Sequence, residues 1–84
     1  MTAAEQLAAT REQERRTAER RELHARALQW SREHFPERVE GAHPCPFAAH
    51  FAMQDRARHG GPVSVARVRA RLEAHDARHA EPVT

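Results

Sequence analysis

Residues 2–36 read TAAEQLAATREQERRTAERRELHARALQWSREHFP, with no Gly at all and no Pro before Pro36. Thr2 followed three residues later by Glu5 is a capping-box pair, so this stretch predicts one helix from about residue 2 to about 35, stopped by Pro36. Along its middle, Glu12 with Arg16, Arg15 with Glu19 and Glu22 with Arg26 stand one turn apart and predict ion pairs on a solvated helix. A stripe through Leu7, Thr10, Glu14, Ala18, Arg21, Ala25 and Leu28 has helical spacing, but Glu14 and Arg21 interrupt it and make it a poor coiled-coil seam. Beyond residue 22 the pattern changes. Leu23, Ala27 and Trp30 share one side while Ala25, Leu28 and Phe35 share another, and two apolar sides imply two neighbours. The expected organisation is a solvent-exposed helical arm over 1–22, a compact helical unit over 23–81 and a short tail over 82–84.

Downstream, Pro36, Gly41, Pro44 and Pro46 mark a loop, and Pro46 suits the first position of a second helix running to His59. That helix places Phe47 and Phe51 one turn apart, and Gly60-Gly61-Pro62 ends it. Ser64 caps a third helix, about 64–80, with Val63 and Val68 in the positions of a hydrophobic staple and Val65, Val68 and Leu72 as its buried stripe. Pro82 closes it. The fold class expected is all-α: a long charged helix and two shorter ones forming a three-helix unit.

A chain of 84 residues has room for one small core, and seventeen of those residues are Ala. Between Leu23 and Leu72 stand only a dozen large apolar side chains, few for holding three helices together unaided. That shortage predicts a small interaction or regulatory module that binds a protein partner or itself, with Leu23, Leu28 and Trp30 as contact anchors. Asn, Ile, Lys and Tyr are absent, as in a GC-rich bacterial coding sequence, so the fact that all fourteen basic side chains are Arg reflects codon usage as readily as selection. The lone cysteine, Cys45, excludes an intramolecular disulfide. Met1 to Arg16 contains no apolar leader segment and no stretch approaches bilayer length, so a cytoplasmic protein without membrane contact is expected.

Three other chemistries compete with protein docking. His75 and His79 stand four apart on the side of the third helix that carries Val68 and Leu72, the geometry by which one helix offers two imidazoles to a metal. Cys45 and His50, or His43 with Cys45, would complete a small structural zinc site, although the spacings match no zinc motif and a Pro-flanked Cys is commonly a small buried hydrophobe. Otherwise no cofactor is expected. Arg67, Arg71 and Arg78 on the opposite face, with the series from Arg11 to Arg26, offer a nucleic-acid-binding alternative. In outline the last two helices resemble a helix-turn-helix, but Pro62 and Arg67 occupy positions where that motif wants apolar residues. Cys45 with His43 or His50 is the nearest approach to a nucleophile and base, nothing further assembles around it, and no enzyme is expected.

Overall fold

A computed structural model of the chain describes residues 2–80. It folds into three helices, α1 (Ala3–His34), α2 (Pro46–His59) and α3 (Val65–His79), with no strand among the described residues. This is the all-α architecture expected. The closure of α3 at Pro82 and the tail over 82–84 lie outside the described residues.

Each helix begins and ends where local chemistry satisfies its free backbone groups. At the start of α1, Thr2 Oγ1 accepts from Glu5 N–H at 3.2 Å while Glu5 Oε2 accepts from Thr2 N–H at 3.3 Å, closing the capping box. Pro46 opens α2, and Gly60 ends it at φ +65°, its N–H donating to the Arg56 carbonyl at 2.8 Å. Ser64 Oγ accepts from Arg67 N–H at 3.2 Å and caps α3. The loop between α1 and α2 is more ordered than its prolines suggest. A 3₁₀ turn (Pro36–Arg38) is followed by a tight turn in which Glu40 and His43 exchange backbone hydrogen bonds at 3.0 and 2.9 Å, with Gly41 supplying the left-handed φ of +61°.

The middle layer is α2, with α1 on one side and α3 on the other. Phe35, Cys45, Ala48, Phe51, Ala52, Val68 and Leu72 form the core. Only Phe35, Phe51, Val68 and Leu72 among them are large, so the buried apolar content is thinner than the dozen candidates allowed. Ser31, fully buried, donates from Oγ to the Cys45 carbonyl at 2.9 Å and fixes the end of α1 against the start of α2. Trp30, Val63 and Val65 pack around the rim of the core.

Upstream of Ala27, α1 buries nothing. Leu7, 52% exposed, is the one large apolar side chain of this segment before Leu23. The expected pairs are present: Arg16 with Glu12 at 3.2 Å, Arg15 with Glu19 at 3.0 Å and Arg26 with Glu22 at 2.6 Å. Arg15 also reaches Glu12 at 2.6 Å, and these bonds from Arg15 hold the Glu12 carboxyl below its ordinary pKa. The projecting helix gives the chain a radius of gyration of 17.6 Å and a long axis of 63 Å. A compact chain of this length has a radius of roughly 12 Å.

Candidate functional site

An open concavity lies between α1 and α2, which run antiparallel: Ser31 meets Cys45 at one end, and Leu23 faces the turn holding Ala57 at the other. Small side chains make the trough. Ala27 on α1 and Ala52 and Ala57 on α2 line it where larger residues would fill it. Leu23, Trp30 and Met53 form apolar walls, and Val63, in the link to α3, completes the lining. The groove holds about 610 Å³, and its charged liners are Arg26 and Arg56. Leu23 remains 43% exposed, whereas the Trp30 ring packs against Phe35 at 5.7 Å and His34 at 4.8 Å while still facing the groove.

Of the three residues expected as protein contacts, the structure therefore brings Leu23 and Trp30 into one apolar surface. Leu28 lies half-buried outside it. Phe35, on the second apolar side of the pattern with Ala25 and Leu28, is wholly inside the core.

The His and Cys residues of the expected zinc set fall in different surroundings. His75 and His79 stack with ring centres 4.4 Å apart, and His75 also lies 4.4 Å from Phe47 and 5.9 Å from Phe51. His50 sits with Nε2 2.9 Å from Gln54 Nε2. Cys45 is a buried free thiol among the core residues, and His43 is exposed in the tight turn. Among the described residues, no group of three or more His, Cys, Asp or Glu side chains is arranged to hold a metal ion.

The arginines of α3 are engaged within the molecule. Arg67 Nε and Nη2 donate to Asp55 at 2.6 and 3.0 Å. Arg71 lies over the Phe51 ring, its guanidinium carbon 4.3 Å from the ring centre, and its Nη1 is buried without a hydrogen-bond partner. Arg69, between them, covers Phe35 at 4.9 Å and approaches Glu37 at 3.5 Å. Arg78 alone of the expected set is exposed without such a contact among the described residues.

Asp55 is the residue that sequence reasoning passed over. It is 3% exposed, accepts from Ser64 N–H at 3.1 Å as well as from Arg67, and lies 3.8 Å from His59 Nε2. The Arg67 hydrogen bonds, reinforced by the Ser64 N–H, pull its pKa down to about 2 against the desolvation that opposes them. The available signal was an acid one turn before a basic helix end that faces the cap of the next helix. Its partner, twelve residues away, follows only from the turn geometry.

In comparisons with known families, curated proteins and solved structures, the chain matches none. No described helix is long and apolar enough to cross a membrane.

Proposed function

We propose that the chain is a small helical interaction module that docks a helical segment of a protein partner in the groove between α1 and α2. The observation that carries this reading is the groove itself, an open apolar trough whose wall residue Leu23 is 43% exposed in a molecule with only four large buried apolar side chains among its described residues. Both walls are helices and no sheet edge is available among the described residues, so the fitting mode is a helix laid into a groove. Leu23 to Trp30 spans about 10 Å at 1.5 Å per residue, which suits two to three turns of a guest helix. Burying the groove would give the protein the apolar contact that its own core lacks, and binding would raise its stability by mass action. Its one thiol, free and buried, suits a reducing cytoplasm.

The nucleic-acid reading draws less support, because Arg67 and Arg71 are engaged with Asp55 and Phe51. Light-scattering mass combined with a thermal melt tests the docking reading. The lone chain is expected to melt early, below about 60 °C. A solitary monomer at micromolar concentration that melts cooperatively above about 60 °C overturns it, since such a molecule has no need of a partner.

A further inference from the structure

We infer that the helix received by this groove is acidic, its apolar anchors flanked by carboxylates; the inference rests on the docking reading above. The two charged liners, Arg26 and Arg56, are both cations, and no carboxylate lines the groove. Arg56 makes no ion pair or side-chain hydrogen bond among the described residues. Arg20 stands one turn before Leu23 on the same side of α1 and is likewise unpaired among them. The neighbouring acids are already spent, Glu22 on Arg26 at 2.6 Å and Glu19 on Arg15 at 3.0 Å. The apolar floor is therefore bordered by guanidinium groups with donors to spare, and a guest that buries them needs carboxylates to meet those donors in paired geometry. A second copy is a poor occupant. A symmetric groove-to-groove contact would bring the Arg26 and Arg56 of both copies into one interface with no carboxylate lining either groove, and among its described residues the arm offers Leu7 as its one large apolar side chain before Leu23.

Trp30 is the only tryptophan and lines the groove, so its fluorescence reports occupancy without a label. The probes are three synthetic peptides of about four turns: Leu anchors at helical spacing with Glu flanks, the same anchors with Lys flanks, and Glu flanks with Ser at the anchor positions. The Glu-flanked Leu peptide is expected to shift Trp30 emission to the blue saturably and to bind about tenfold more tightly than the Lys-flanked one at low salt, with the gap narrowing in about 0.5 M salt. Arg56→Glu, at an exposed side chain with no partner to lose, is expected to reverse that order with an unchanged circular dichroism spectrum. Equal binding of the two Leu peptides, or an order unaffected by R56E, overturns the acidic assignment and leaves groove docking standing. Equal binding of the Glu-flanked Ser peptide also overturns it, because the contact is then ionic alone. No response to either Leu peptide overturns the docking reading as well, and a chain mass that doubles with concentration while Trp30 shifts assigns the groove to a second copy instead.

Discussion

Asp55 joins two helices through a single carboxylate: it leaves α2, caps the start of α3 at Ser64 N–H and receives two bonds from Arg67. Its pKa lies near 2 rather than the ordinary 3.8, chiefly because Arg67 bonds the charged form. A lowered carboxylate pKa means that the unfolded chain takes up the proton first as acid is added, so the stability this group contributes is complete above the ordinary value and drains away as pH falls from about 4 through about 2. Asp76, lowered by Arg38 at 2.7 Å, works in the same direction. Asp55→Asn is expected to reduce Tm at pH 7 and to flatten the fall of Tm between pH 5 and pH 2 without abolishing it. Parallel Tm curves for the two proteins would mean that Asp55 is not the group responsible. Core and groove residues should separate just as clearly. Leu72 is fully buried, so Leu72→Ala is expected to cost about 2–5 kcal/mol by urea denaturation, a large part of what so thin a core can supply. Leu23 is a groove wall rather than a core residue, and Leu23→Gln is expected to change folding stability by no more than about 0.5 kcal/mol while weakening guest binding. A large loss of stability in L23Q would return Leu23 to the core.

Helix ends are governed by residues within four positions of one another, which is why the elements were legible before any packing was known. Thr2 with Glu5, Pro46, Gly60 and Ser64 each do locally what their chemistry dictates, and the helices begin or end beside them. The groove was not legible in the same way. Leu23 and Trp30 pointed to it from α1, but Met53, Ala57 and Val63 join them only through the antiparallel placement of α2, which follows from Ser31 bonding the Cys45 carbonyl and from alanines letting the helices approach. The α3 arginines show the same limit from the other side. Helical spacing placed Arg67 and Arg71 away from Val68 and Leu72, yet their long side chains reach back to Asp55 and Phe51 on α2. The α1 arm is the element most nearly independent of the rest, since what holds it is local: (i,i+3) and (i,i+4) ion pairs, the Thr2–Glu5 capping box, the Thr10 and Thr17 hydroxyl bonds to carbonyls one turn back, and backbone bonds. Deleting residues 2–19 is expected to lower the helical circular dichroism signal by about a quarter and to leave the Tm of the remaining unit within about 3 °C. Loss of the cooperative transition on that deletion would show that the arm contributes to the core.

At the scale of the whole molecule, shape depends on whether a helix that buries nothing before Ala27 stays extended. Among its described residues the arm has no apolar face to fold back with: Leu7 is the one large apolar side chain there, and Glu14 and Arg21 interrupt the stripe that continues from it. It contains neither Gly nor Pro between Thr2 and Phe35, so no hinge is provided for a hairpin. Ion pairs such as Arg15 with Glu12 and Glu19 are each worth little in water and are screened by salt, so the arm should fray from its N-terminus as ionic strength rises rather than bend at one place. Small-angle X-ray scattering in dilute solution at low salt is therefore expected to give a radius of gyration near the 17.6 Å of the extended form. With salt raised to about 1 M, the helical signal should fall while the radius stays well above the roughly 12 Å of a compact chain, because a frayed segment remains extended in solvent. A radius close to that compact value at either salt concentration would mean that the arm lies along the α1 and α2 groove or on α3. The surface proposed for a guest would then be occupied by the chain's own N-terminal segment, and Leu7→Ser should reopen it, restoring both the larger radius and the response of Trp30 to the Glu-flanked peptide.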